Sequence, residues 1–223
     1  WLPPDNVQEQ PGLVVAHRTS PTNIGLSMLT HLCAHDFRYL STKRLLDRLD
    51  NTIVTMFRME RYRKHYFNWY DTRTLEPLIP QYISTVDSGN MAGHLLTLRQ
   101  GLLAIADEPV YDQKYLSGIL DTMQILAEPL GKEAKISKKW QMLKMALAAA
   151  QAKEPANLHE AAKELWNIYA LVKELEADSD LKHNPEGSFW MNMFVEQCRD
   201  LCEFIEDLRL PQGVFPDVEE LQI

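Results

Sequence analysis

The sequence predicts a nearly all-α protein built from antiparallel helix pairs. Apolar residues recur at three- and four-residue spacings along seven separate segments, the period of an amphipathic helix. Capping residues precede several of these segments, and proline or glycine follows several of them. No segment shows the sustained alternation of apolar and polar residues that a half-buried strand requires. The length of 223 residues allows one large domain or two smaller ones.

The first two helices form the first predicted pair. Residues 1–22 contain four prolines and predict an irregular segment. A helix is predicted over about 23–39, with Thr22 or Asn23 as its N-cap, and a second over about 41–62. Because the loop between them is short, the two helices should pack antiparallel.

The stretch from His65 to His94 combines aromatic rings with polar groups. Pro77 and Pro80 interrupt any helix through its middle, and a third helix is predicted over about 86–106. Each glycine inside a helix costs about 1 kcal/mol relative to alanine. We therefore expect a neighbouring helix or a ligand to approach the backbone at the three glycines of this helix, which are Gly89, Gly93 and Gly101.

The second half of the chain reads as helical scaffolding. Four further helices are predicted at about 111–130, 137–152, 157–177 and 184–210. Gly131 should end the first of them, and Asn157 with Glu160 should cap the third. These patterns predict two regions, 1–106 with the polar and aromatic stretch, and 107–223 as a helical bundle or scaffold that continues it.

Composition narrows the class of partner. A net charge of −8 disfavours binding to a nucleic-acid backbone, and no run approaches the roughly 18 apolar residues of a membrane span. The three cysteines, Cys33, Cys198 and Cys202, do not resemble a disulfide framework, which favours a reducing compartment. The chain begins with Trp1 instead of Met, so we expect a piece of a longer protein.

Rings beside carboxylate and amide groups are typical of a carbohydrate site. Flat rings cover the apolar C–H faces of a sugar, and polar groups bond its hydroxyls. The candidate sugar-binding residues are Arg18, Asn68, Trp69, Tyr70, Asp71, Asp87 and Asn90. Asp71 and Asp87 are also the candidate catalytic residues, because a carboxylate pair flanking a bond suits glycoside chemistry.

Structural roles compete with each of these assignments. Asp87 could cap the third helix, and Asp71 could serve a turn while Arg73 pairs with Glu76. If the aromatic segment is extended, alternate side chains point to opposite sides, one set to the core and the other to a cleft. The two sets are Tyr66, Asn68 and Tyr70 on one side and Phe67, Trp69 and Asp71 on the other.

A metal site is not predicted. His31 and His35 lie four residues apart on the first helix, a spacing that suits a metal pair. No HExxH pattern and no nearby third ligand accompany them, so we interpret both as ordinary helix residues.

Four segments resemble a known family. They are WLPPDN at 1–6, AHRTSPTNIGL at 16–26, NWYDT at 68–72, and STVDSGN with AGHL at 84–95. In this order and spacing they resemble the cyclic β-1,2-glucan synthases, specifically the glucoamylase-like middle region of that family. The resemblance covers residues 1–106, whereas 107–223 match only as general helical sequence.

The resemblance implies a partial (α/α) toroid of the glucoamylase-like type, in which paired helices ring a carbohydrate cleft. It implies a parent on the cytoplasmic side of the bacterial inner membrane that uses UDP-glucose elsewhere in its chain. The middle region would transfer or cyclise β-1,2-glucan chains. The partners would be β-1,2-glucan and the rest of the parent, with no cofactor in this piece. The piece itself should be soluble, and the apolar faces of an incomplete toroid should promote self-association.

The resemblance also implies that some motifs of the family are missing from this sequence. Family members carry downstream segments with acid and base carboxylates, and these are not found in the 223 residues. The piece should therefore hold part of a cleft and be inactive alone. Two alternatives stay open, a helical structural or interaction module without a sugar site, and a glycoside hydrolase of the glucoamylase-like type.

Overall fold

A computed structural model describes residues 1–179, 181 and 183–209, with the backbone alone for 132–136. About 65% of the described residues are helical, which confirms the all-α class, while the toroid stays a prediction. The chain divides into two compact units. The first, unit 1, comprises Trp1–Ala34 and Lys43–Glu108, and the second, unit 2, comprises His35–Thr42 and Pro109 onward.

Three helices belong mainly to unit 1. They are α1 at Pro21–Asp36, α2 at Thr42–Arg58 and α3 at Thr85–Ile105. Each lies close to its predicted position, because its apolar period and its flanking prolines or capping residues agree. Their buried side chains are apolar and form one core, which includes Ile24, Met28, Leu32, Leu45, Leu49, Met56, Met91 and Leu98.

Unit 1 also contains three antiparallel strand pairs that the sequence did not predict. They are β1 (Val7–Gln8) with β2 (Val14–Val15), β3 (Arg18–Thr19) with β6 (Tyr70–Asp71), and β4 (Arg61–Tyr62) with β5 (His65–Tyr66). Each strand has two residues, too few for a period of two to be recognised in the sequence. The pair β3–β6 matters most, because it joins residues 51 and 53 positions apart in the chain.

The helix-packing explanation of the glycines holds at one position in α3. A Cβ at Gly101 would lie 2.3 Å from Leu32 Cδ2, so this glycine admits a core leucine of α1. A Cβ at Gly89 or Gly93 would meet nothing within 4 Å, so helix packing is the wrong explanation there. The sequence analysis missed a similar close approach at Gly25 of α1, where a Cβ would meet the side chain of His94.

Four helices in unit 2 pack around a core of their own. They are α4 at Lys114–Ile136, α5 at Lys138–Gln151, α6 at Leu158–Asp178 and α7 at Pro185–Leu208. α4 packs on α5 and α7, and α6 packs on the same two helices. Short connections between consecutive helices that pack together make them antiparallel. The helical path of α4 breaks at Gly131, whose φ is 77°.

The predicted N-cap of α6 is confirmed. Asn157 Oδ1 accepts from the Glu160 backbone N–H at 3.0 Å. Cys198 and Cys202 lie buried in the core, and burial raises the pKa of both thiols. Within the described part of the chain, no helix is long and apolar enough to cross a membrane.

Candidate functional site

The strand pair β3–β6 contains three of the seven predicted sugar-binding residues, which are Arg18, Tyr70 and Asp71. Its register sets Arg18 opposite Asp71 and Thr19 opposite Tyr70. Side chains alternate across a strand, so Thr19 and Tyr70 share one side of the ladder. Both are completely buried, whereas Arg18 is half-exposed. The ladder therefore has a core side and an outer side, and the outer side carries Arg18.

One polar group, the Arg18 cluster, consists of Asp5, Arg18, Asn23 and Trp69. The Arg18 guanidinium carbon lies 4.8 Å from the centre of the Trp69 ring, within the range of a cation–π contact. Asp5 Oδ2 accepts from Arg18 Nε at 3.1 Å and from Nη2 at 2.8 Å. Asp5 Oδ1 accepts from Asn23 Nδ2 at 3.2 Å. The cluster joins the N-terminal segment, β3 and the first turn of α1 to a partly exposed indole.

A second polar group, the Asp87 cluster, consists of Thr22, Asp87 and Asn90. The Thr22 hydroxyl donates to Asp87 Oδ1 at 2.6 Å and accepts from Asn90 Nδ2 at 3.1 Å. The first turns of α1 and α3 are thus bonded to each other through Thr22. No hydrogen bond from the described residues reaches Asp87 Oδ2, so this oxygen can still accept from a ligand hydroxyl.

The start of α1 explains how Thr22 and Asn23 enter these clusters. The helix begins at Pro21, where the missing N–H and fixed φ of proline suit the first helical position. Ser20 Oγ accepts from the Asn23 backbone N–H at 3.2 Å and therefore acts as the cap. The prediction that Thr22 or Asn23 caps α1 is wrong. Their side chains are instead free to reach α3 and the N-terminal segment.

Asp71 serves a turn, and its carboxylate is engaged within the loop. Asp71 Oδ1 accepts from the backbone N–H of Arg73 at 2.7 Å and of Thr74 at 3.2 Å, and Oδ2 accepts from Arg73 Nη2 at 2.9 Å. The Arg73 hydrogen bonds hold the pKa of the Asp71 carboxyl well below its usual range. The sequence analysis expected Arg73 to pair with Glu76. Arg73 pairs instead with Asp71. As a proton-transfer group, Asp71 is the weaker of the two candidates.

Tyr70 and Asn68 are core residues, which corrects their assignment to a sugar-facing surface. Tyr70 is 0% exposed and Asn68 is 3% exposed, so neither side chain is accessible to a sugar. The Tyr70 hydroxyl donates to the Glu60 carbonyl and accepts from the Phe67 N–H, both at 2.7 Å. Burial raises the pKa of Tyr70 to about 12. The alternation rule places Asn68 and Tyr70 together, but Phe67 breaks it because it too is buried.

Two histidines add polar contacts that the sequence analysis did not assign to the site. His17 Nδ1 lies 3.3 Å from Thr72 Oγ1, and His65 Nδ1 lies 3.3 Å from Ser88 Oγ. Asp5 and Thr22 were also missed as cluster members. The only available signal was their position inside the WLPPDN and AHRTSPTNIGL motifs. The described residues contain no group of three or more acidic, histidine or cysteine side chains that could hold a metal ion.

Comparison with known proteins gives one similarity for this chain. No protein-family model matches the chain. Over 133 residues it is 47% identical to the cyclic beta-(1,2)-glucan synthase NdvB of Rhizobium meliloti (strain 1021). The chain is similar to a cyclic β-1,2-glucan synthase.

The similarity to the synthase confirms the resemblance that the four motifs indicated. The matched span is 59% of this chain but 5% of the length of the synthase. It is longer than residues 1–106, so part of it lies beyond residue 106. The sequence analysis expected residues 107–223 to match only as general helical sequence, and it therefore underestimated how far the similarity extends.

Proposed function

We propose that unit 1 supplies part of a glucan-binding surface within a larger polypeptide related to the cyclic β-1,2-glucan synthases. The observation that carries the proposal is the Asp87 cluster, which leaves one carboxylate oxygen available beside the exposed Asn90. The partly exposed Trp69 adds an apolar ring surface, and Arg18 adds donors. A ring surface with a few fixed polar groups is the chemistry that recognises a sugar.

The similarity to the synthase selects β-1,2-glucan as the proposed sugar. In this proposal the parent is a bacterial membrane-bound glycosyltransferase or transglycosylase whose chemistry at UDP-glucose lies elsewhere in its chain. The catalytic role of Asp87 is part of the proposal, whereas Asp71 is given a turn role. This piece would bind glucan without turning it over, because a second free carboxylate is missing from both clusters.

The direct test is binding of linear β-1,2-glucooligosaccharides to the 223-residue chain, measured by calorimetry. Trp69→Ala and Asp87→Asn should each weaken binding about tenfold, which corresponds to roughly 1.4 kcal/mol. Trp166→Ala is the matched control, since Trp166 is an exposed tryptophan of unit 2 that belongs to neither cluster. Equal affinities in all four proteins would show that the clusters do not bind glucan.

One activity assay and one association assay test the two remaining alternatives. Incubation of the chain with β-1,2-glucan and analysis of reducing ends tests the glycoside hydrolase alternative, and we expect no release of sugar. A second candidate function, a helical interaction module, is favoured by the exposed apolar side chains of α2 and α3, among them Leu46, Val54, Phe57, Val86 and Leu96. Concentration-dependent self-association in sedimentation, without glucan binding, would support that candidate.

A further inference from the structure

The ring of Trp69 is covered on one face by a cation. The Arg18 guanidinium carbon lies 4.8 Å from the ring centre, and a sugar cannot stack where the guanidinium lies. Only the uncovered part of the indole remains accessible. The position of Arg18 therefore decides which part of the ring a sugar can contact.

Asp5 fixes the position of Arg18. One of its carboxylate oxygens accepts both from Nε and from Nη2 of Arg18, and the other accepts from Asn23 at the start of α1. The Asp5 side chain is 20% exposed, against 53% for Arg18. The side-chain hydrogen bond from Arg18 is the main cause that lowers the pKa of Asp5. Charge-assisted hydrogen bonds to a guanidinium are directional, so they orient Arg18 as well as attract it.

We propose that Asp5 is a positioning residue for Trp69. Asp5 holds Arg18 against one face of the indole, and this fixes the ring and confines a sugar to the uncovered part. The proposal rests on the proposed function of Trp69 in glucan binding and names the residue that controls that surface. Asp5 acts through Arg18, so its loss should matter only while the indole is present.

A purely structural role for Asp5 is the competing explanation. Asp5 also bonds to Asn23, and its backbone N–H donates to the Ala16 carbonyl at 3.3 Å, so it helps to secure the N-terminal segment. A structural role predicts a loss of stability that is independent of Trp69. A positioning role predicts a loss of affinity that disappears when Trp69 is removed.

The test uses the full 223-residue chain labelled with ¹⁵N. Asp5→Asn should shift the Nε–H resonance of Arg18 and the indole N–H resonance of Trp69, which the variant Trp69→Phe identifies. It should weaken binding of β-1,2-glucooligosaccharide five- to tenfold, and it should cause no further loss in a Trp69→Ala background. Arg18→Gln releases the same contact without touching Asn23. Even if Asp5→Asn folds poorly, Arg18→Gln should shift the Trp69 indole N–H resonance and weaken oligosaccharide binding.

Glu203→Gln is the matched control, because it breaks an exposed arginine–carboxylate pair in unit 2, with Arg199, that stacks on no aromatic ring of the described residues. An unchanged Trp69 indole resonance in Asp5→Asn and Arg18→Gln, or a loss of affinity in Asp5→Asn that adds to that of Trp69→Ala, would overturn the positioning role. Failure of the unmodified chain to bind oligosaccharide would instead overturn the proposed function. The resonances would still decide whether Asp5 controls Arg18 and Trp69.

Discussion

The substitution Thr22→Val removes the hydroxyl that bonds α1 to α3. Two hydrogen bonds meet at this atom, a donation to the Asp87 carboxylate and an acceptance from the Asn90 amide. A hydrogen bond to a charged group contributes about 1.5–3 kcal/mol, and one between neutral groups about 0.5–1.5 kcal/mol. Because the site is partly exposed, water replaces part of both, and we expect a net loss of about 1–2 kcal/mol. Valine keeps the shape and the branching of threonine.

The matched control for this prediction is Thr30→Val in the same helix. Thr30 is exposed, and its hydroxyl donates to the Leu26 carbonyl at 2.9 Å, a bond within α1 alone. We expect it to change the free energy of unfolding by less than about 0.5 kcal/mol. Urea unfolding followed by circular dichroism measures both variants. Equal losses in Thr22→Val and Thr30→Val would refute the argument that Thr22 couples the two helices.

Three further substitutions test other parts of unit 1. Gly101→Ala should be less stable than Gly93→Ala by about 1–3 kcal/mol in urea unfolding, because only the first meets Leu32, while both gain the same helix propensity. Asp71→Asn should destabilise most at pH 7, and its effect should begin to shrink only as the pH falls below about 3.9. The folded pKa of Asp71 lies below the unfolded value of about 3.9, so its contribution is present above that value and lost as the pH falls toward the folded one. Tyr70→Phe should cost about 1–3 kcal/mol and leave the glucan affinity of the folded protein unchanged, because Tyr70 bonds only internal groups.

Each of these predictions has an outcome that contradicts it. Equal stabilities of the two glycine variants would mean that Leu32 moves aside at no cost. An acid stability profile of Asp71→Asn that parallels the unmodified chain would show that the Arg73 contacts contribute nothing. A large loss of affinity in Tyr70→Phe would return Tyr70 to the sugar-binding surface.

The helices were predictable because their signals are local. The period of α3, its Ser84 cap and the break at Pro80 all lie within one stretch of sequence, and the helix forms where they agree. The roles of Asn68, Tyr70 and Asp71 were not predictable in the same way. They depend on β6 pairing with β3, and a pair of two-residue strands leaves no periodic signal.

The sequence alone determined that this chain is helical, where its helices lie and which family it resembles. Helix propensity, apolar period and capping act over a few residues, so these properties can be read directly from the order of amino acids. Tertiary structure decided which polar residues face outward. A strand ladder buries every second side chain, and Pro21 leaves the capping of α1 to Ser20. Tyr70 therefore lies in the core, whereas Arg18, Trp69 and Asp87 are at least partly exposed. Each of these positions depends on neighbours that only the folded chain brings together.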